Sequence, residues 1–133
     1  MKIFGSQRSL TSSRLTGLIV SGVVIECLPY AEFIGRYNRP GTLFYCDPPY
    51  YGSEGYYGKE AFSRADFERL ADVLREVKGA FILSINDHPE VRRIFAGFEQ
   101  REVETAYSVA GGAAKAASEL LIMGGLAEPV AAR

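Results

Sequence analysis

The tetrapeptide Asp47-Pro48-Pro49-Tyr50 follows a short apolar run and combines a carboxylate, two rigid rings and an aromatic side chain. An exocyclic aromatic amine is a poor nucleophile, because its lone pair is delocalised into the ring. The Asp47 carboxylate and the Pro48 carbonyl could accept both amine hydrogens, in a geometry stiffened by the prolines. Tyr50 could provide a flat face for stacking a base. The motif therefore indicates direct attack of an amine on a positioned methyl group, with no metal and no covalent enzyme intermediate.

These residues also fit a purely structural interpretation. Aspartate is common in turns, prolines end strands, and a tyrosine can pack against a core. Asn86 and Asp87 also allow both a functional and a structural interpretation. They follow the apolar run that ends near Ser84, where they could line a base pocket or cap the next helix. His88, the single histidine, fits a helix start better than a metal site.

Composition limits the class of protein. The chain has 133 residues, is 47% hydrophobic and 23% charged, and has a formal net charge of −1. These values indicate one globular domain and exclude a polybasic, histone-like role, although a local basic patch could still bind nucleic acid. Cys27 and Cys46 lie in apolar runs, which predicts buried free thiols in a reducing compartment. No apolar stretch has transmembrane length, so we expect a cytoplasmic protein.

Periodicity and turn residues predict the order of the elements. Short apolar runs predict strands at 22–28, 42–46, 80–85 and 119–123, and weak alternation predicts another at 98–107. Three helices are expected. The first spans 29–37. The second begins at an N-cap at Ser63, with Asp66 three residues later, and stops at Gly79, and the third lies at 91–95 after Pro89. Residues 1–16 read as a loop, Gly111-Gly112 as a turn and 126–133 as a tail.

Alternation of strands and helices predicts an α/β fold, with a parallel sheet covered by helices on both faces. Ligands of such sheets bind beyond the C-terminal ends of the strands. The tetrapeptide at 47–50, the polar group at 84–87 and the corner at 28–30 all fall at such ends. The loop at 50–61, rich in tyrosine and glycine, fits either base stacking or an ordinary surface loop.

The chain resembles the Dam-like DNA adenine N6-methyltransferases over roughly residues 23–123. The matching stretches include 24–34, 36–50, 62–67, 81–87 and 119–122, with the tetrapeptide at the centre. The resemblance implies S-adenosylmethionine as methyl donor and a flipped adenine of double-stranded DNA as acceptor. It also implies a partial Rossmann-like, S-adenosylmethionine-dependent methyltransferase sheet.

The resemblance assigns roles to individual positions. The catalytic motif falls on Asp47-Pro48-Pro49-Tyr50, and Tyr30 falls where relatives contact the adenosine of the cofactor. Tyr107 lies near the segment that supplies a second aromatic face for the base. Lys115 falls near a position that is arginine in many relatives, where it could contact a phosphate. Asn86 is a further candidate for the base pocket.

Part of the family pattern is missing. Relatives are longer and carry a Gly-x-Gly turn after their first strand, and this chain has no Gly-x-Gly. We therefore expect residues 1–133 to form a single partial catalytic domain that lacks the cofactor-binding first strands and is inactive alone. Residues 1–20 would be a loop or a remnant of the target-recognition region.

The missing strands would leave the 42–46 strand with an open apolar edge, which invites pairing with another chain. Three arrangements are expected: a homo-oligomer, an N-terminal segment folded over the edge, or a separate N-terminal half. Two interpretations compete with this one. The same chemistry could act on another acceptor (cytosine N4, an RNA base, a protein amide), or the chain could be a non-catalytic interaction module or a decayed remnant with no role.

Overall fold

The computed structural model describes residues 2–7, 18–20, 23–25, 29–52, 62–108 and 114–126. Its strands are β1 (Lys2–Gln7), β2 (Leu18–Val20), β3 (Val23–Ile25), β4 (Thr42–Asp47), β5 (Ala80–Asn86), β6 (Glu99–Ser108) and β7 (Ala114–Gly124). Its helices are α1 (Tyr30–Tyr37), α2 (Arg64–Arg75) and α3 (Pro89–Ile94). Cys27, the Gly111-Gly112 turn and the tail from 127 onwards lie outside the described residues.

The strands form one mixed sheet in the order β2-β3-β1-β4-β5-β7-β6. Only β4 and β5 pair in parallel, and the connection between them includes α2. The other described pairs are antiparallel. An α/β fold is therefore present, but the prediction of a parallel sheet was wrong. A parallel pair needs a long crossover connection, which the chain supplies between β4 and β5, whereas β6 and β7 follow one another closely enough to pair as a hairpin.

Local signals place the helix starts correctly. At α2, the Ser63 hydroxyl accepts from the Asp66 amide, and the Asp66 carboxylate accepts from the Ser63 amide at 2.8 Å. At α3, His88 Nδ1 accepts from the Glu90 amide at 3.1 Å. The capping box at Ser63 and the helix-start role of His88 are confirmed. Of the two interpretations left open for Asn86 and Asp87, capping of this helix was wrong, because His88 is its N-cap residue.

The predicted helix stop at Gly79 was also wrong. Helix α2 ends at Arg75, with Glu76 as its C-cap. A Cβ at Gly79 would lie 2.1 Å from the Thr42 carbonyl oxygen and 2.8 Å from the Arg39 carbonyl oxygen. Gly79 therefore allows two segments of backbone to approach closely before β5 begins.

The core lies between one face of the sheet and the three described helices. This helix-covered face presents fully or nearly fully buried side chains from three central strands: Phe44, Cys46, Phe81, Leu83, Ile85, Leu120 and Ile122. They pack with Phe33 of α1, Phe67 and Leu70 of α2, and Val91 of α3. Burial of this apolar surface is the main stabilising contribution to the fold.

The opposite, helix-free face carries alternate residues of the same strands, among them Leu43, Tyr45, Ile82 and Leu121. These side chains do not belong to the core cluster, and Tyr45 is 38% exposed. No helix in the described ranges packs on this face. The expectation of helices on both faces therefore fails for the described residues. The alternation of buried and exposed positions along β4 is typical of a sheet with one covered face.

The N-terminal residues form a strand where a loop was expected. Strand β1 pairs with the whole of β4, from Lys2 opposite Asp47 to Gln7 opposite Thr42. The loop prediction failed because pairing with a distant strand outweighs the weak strand propensity of this polar segment. Of the three arrangements expected for the edge of β4, the folded-over N-terminal segment is confirmed.

Candidate active site

Asp47 ends strand β4 on the helix-free face, with its side chain exposed. None of the hydrogen bonds between described residues involves its carboxylate. Pro48 is buried and Pro49 is half-buried, so the chain after Asp47 is fixed both by packing and by two restricted φ angles. The carboxylate is therefore presented to solvent at the C-terminal end of the strand, where a substrate can reach it.

Asn86 at the end of β5 holds the backbone next to the motif. Its Oδ1 accepts from the Tyr51 amide at 2.8 Å, and its Nδ2 donates to the Tyr51 carbonyl at 3.1 Å. The predicted place in a base pocket is untested. What the structure adds is that both ends of the Asn86 amide are engaged by the loop.

Tyr50 is connected to strand β7. Its hydroxyl donates to Glu119 Oε1, and the Ser84 hydroxyl donates to Glu119 Oε2 at 3.3 Å. The tyrosine remains 41% exposed. Sequence reasoning did not find Glu119 as a site residue. The available signal was a single carboxylate at the start of the apolar run 119–123.

Aromatic rings support the loop from the helix-covered side. Tyr51 lies 5.6 Å from Phe67 and 4.7 Å from His88 between ring centroids. Phe62 continues the cluster at 4.8 Å from Phe67. Rings at these separations attract one another beyond the area that they bury. The motif is thus attached to the core through Tyr51, while Tyr50 is left on the surface.

Tyr30, the predicted cofactor contact, lies at the other end of this cluster. Its ring is 5.8 Å from Phe62. Burial raises the pKa of the Tyr30 phenol, partly offset by the positive charge of Arg69. The phenol therefore stays neutral, and it forms part of the aromatic packing beneath the motif. Its contact with a cofactor is untested.

Asp87 serves α3. Its two carboxylate oxygens accept from Arg92 Nε and Nη2, each at 2.7 Å. These charge-assisted bonds lower the pKa of Asp87 below its usual range. Asp87 is therefore engaged by a side chain of the neighbouring helix.

Tyr107 and Lys115 are register partners in the β6–β7 hairpin. The last pairing of β7 with β5 joins Glu119 to Asn86, so Lys115 lies about 13 Å further along β7, beyond the end of β5. Both positions are thus at the same end of the sheet as Asp47. Their predicted contacts with a base and a phosphate are untested.

Weak or absent binding of S-adenosylmethionine by this chain stays a prediction, and two features of the chain bear on it. No Gly-x-Gly turn occurs in the sequence, and the strand beside β4 is the antiparallel β1. A cofactor-binding strand would end beside Asp47 and continue into a helix. Strand β1 runs the other way and begins there, at Lys2.

Within the described residues there is no cluster of three or more metal-ligating His, Cys, Asp or Glu side chains. None of the described helices has both the length and the apolar character needed to cross a lipid bilayer.

The chain belongs to the D12 class N6 adenine-specific DNA methyltransferase family, which it matches over residues 7–109. This confirms the resemblance found in the sequence. A curated relative, the retron Ec67 DNA adenine methylase of Escherichia coli, is 32% identical over 90 residues. That alignment covers 64% of this chain and 32% of the relative. The chain thus spans about a third of the length of the relative that it matches.

Proposed function

We propose that this chain carries the amine-binding part of a DNA adenine-N6 methyltransferase, in which S-adenosylmethionine supplies the methyl group. The observation that carries the proposal is the exposed Asp47 carboxylate at the end of β4. The second carboxylate nearby, Glu119, already accepts from Tyr50 and Ser84. Asp47 is therefore the carboxylate that is free to accept the amine hydrogens of a substrate base.

The remaining motif residues complete the binding of the base. The Pro48 carbonyl is the second acceptor, and the partly exposed Tyr50 ring is the stacking face. Adenine must leave the duplex to reach these groups, so the substrate is a flipped base in double-stranded DNA. Two acceptors on the amine favour a pyramidal nitrogen with an available lone pair, and this positioning is the contribution of the chain to catalysis.

The chain requires a cofactor-binding part in addition to its own residues and is inactive without that part. Two observations support this: the absent Gly-x-Gly and the antiparallel β1 beside β4. The reason for expecting a homo-oligomer was a bare edge on β4. Because β1 pairs along that edge, the proposed partner is the cofactor-binding half rather than a second copy.

Transfer of a labelled methyl group tests the proposal. S-adenosylmethionine with a tritiated methyl group is incubated with mixed-sequence DNA and the chain, alone and with the N-terminal half of a D12 class methyltransferase. We expect DNA labelling on N6 of adenine only in the combined sample, and none with Asp47→Ala. Calorimetry should detect weak or no cofactor binding by the chain alone.

The alternatives give different results in the same assay. Label on cytosine N4, or on RNA added in place of DNA, would show that the acceptor is cytosine or an RNA base instead of adenine in DNA. Turnover by the isolated chain would contradict the need for a second half. No label in the combined sample, together with binding of the two halves, would favour the non-catalytic module.

A further inference from the structure

We propose that Glu119 is a positioning residue that sets the orientation of the Tyr50 ring for stacking on the substrate base. This inference rests on the proposed function, because it assigns the base to the Tyr50 ring. It adds a residue from β7 that the tetrapeptide motif does not include. Glu119 acts through Tyr50 and is not itself in contact with the base.

The first observation is the connection of the phenol to a fixed acceptor. Tyr50 Oη donates to Glu119 Oε1, across 69 positions in the sequence. A hydrogen bond from a hydroxyl to a carboxylate is stronger than one between two neutral groups. Because Tyr50 is 41% exposed, packing confines its ring only in part, and the hydrogen bond restricts the rotation that packing permits.

The second observation is that the acceptor is itself held. Ser84 is buried and donates to Glu119 Oε2 at 3.3 Å. The two carboxylate oxygens therefore have different donors, which fixes the plane of the carboxylate. Ser84 lies on the helix-free face of β5, the same face that carries Asp47 on β4. The network thus connects Tyr50 to the sheet next to the catalytic carboxylate.

The third observation is the register of the strands. Asn86 and Glu119 are direct partners in the β5–β7 pair. Asn86 holds the backbone of Tyr51, and Glu119 holds the side chain of Tyr50. Two paired residues of the sheet therefore fix two consecutive residues of the loop, one through its main chain and one through its ring. This arrangement fixes the position of the loop backbone relative to the sheet as well as the direction of the Tyr50 phenol.

Two measurements on the full chain test the inference. In the first, the chain is labelled with 3-fluorotyrosine, and the fluorine resonance of Tyr50 is assigned by its loss in Tyr50→Phe. Glu119→Ala should shift this resonance and Glu119→Gln should shift it less, because the amide oxygen can still accept. Glu104→Ala, at an exposed glutamate of β6, is the matched control and should leave the resonance unchanged.

The second measurement uses a single-stranded DNA oligonucleotide carrying 2-aminopurine, whose fluorescence is quenched by stacking. Glu119→Ala should raise the dissociation constant about five- to tenfold. Tyr50→Phe should have a similar effect, and the double variant Glu119→Ala/Tyr50→Phe should bind no worse than Tyr50→Phe. This non-additivity distinguishes action through the phenol from a general loss of structure. Circular dichroism of each variant checks that the fold is retained.

Each result has a definite meaning. A Tyr50 resonance that Glu119→Ala leaves in place overturns the inference, as do additive losses in the double variant. If the wild-type chain binds the oligonucleotide and Glu119→Ala binds it equally well, the inference is overturned and the proposed function stands. A wild-type chain that leaves 2-aminopurine fluorescence unchanged overturns the base-binding role of Tyr50 in the proposed function, and the role of Glu119 with it.

Discussion

On the helix-covered face, Phe44 and Leu83 have no exposed surface, whereas Tyr45, the neighbour of Phe44 on the helix-free face, is 38% exposed. The same strands therefore serve two purposes. One set of alternate residues joins the core, and the other set carries Asp47, Ser84 and Glu119. The difference teaches that stability and chemistry are separated across the sheet. Substitutions on one face should change unfolding, and substitutions on the other should change activity.

The largest effect is expected in the core. Phe44→Ala should lower the free energy of unfolding by about 3–5 kcal/mol, because it leaves a cavity between β4 and α1. Tyr45→Ala, one position along the same strand, should cost about 1 kcal/mol. Urea unfolding followed by circular dichroism measures both. If Phe44→Ala does not fold, Ile85→Val and Ile82→Val provide a milder pair on opposite faces. Equal losses within a pair would contradict the separation of the two faces.

The next effect concerns chemistry on the helix-free face. Asp47→Asn should reduce methyl transfer by the combined halves about 10²- to 10³-fold, because it removes the charged acceptor of the amine. Its free energy of unfolding should change by less than about 0.5 kcal/mol, since the side chain is exposed. Asp72→Asn, at an exposed position of α2, is the matched control for both measurements. A marked loss of stability without a loss of transfer would assign Asp47 to the fold instead.

A smaller effect is expected at the start of α2, a helix that covers the core. Ser63→Ala removes the hydroxyl of the capping box and should cost about 1 kcal/mol in urea unfolding. Ser118→Ala, at an exposed serine of β7, removes the same atom without a cap and should be nearly neutral. Equal values for the two variants would show that the covering helix does not depend on its cap.

The smallest effect is the acid dependence of stability. The Ser63 amide and hydroxyl lower the pKa of Asp66, and the Arg92 guanidinium lowers the pKa of Asp87. Because both groups lose protons more readily in the folded state, their contribution is present above the usual aspartate range. It is lost as the pH falls through the lowered values, below about pH 4. Urea midpoints between pH 6 and pH 2.5 should therefore decline only at the acidic end.

Removing either partner of the Asp87–Arg92 ion pair tests whether this pair causes part of the acidic decline in stability. Asp87→Asn and Arg92→Gln should each flatten the acidic decline, and the double variant should flatten it no further. Both residues belong to the α3 end of the structure, so methyl transfer at neutral pH should be unaffected. An unchanged acidic decline in both single variants would assign it to other carboxyl groups.

Signals within a few residues were sufficient for several elements. Ser63 and Asp66 predict a helix start because the capping box closes over three positions, and Asp47-Pro48 predicts the end of β4 because the following proline cannot donate to the sheet. Cys46 was expected in the core, and it is buried there as a free thiol. Burial raises the pKa of this thiol to about 12. Gly79 was misassigned because its close contacts come from residues near 40, which a local pattern does not contain.

The sequence by itself determined the motif, the order of the central elements and the family, because each depends on residues that are close together in the chain. Only the tertiary structure decided that β1 covers the edge of β4, that the described helices share one face, and that Glu119 holds Tyr50. Strand pairing and side-chain hydrogen bonds of this kind join residues 35 to 69 positions apart. Their partners are chosen by the geometry of the assembled sheet, which no local pattern encodes.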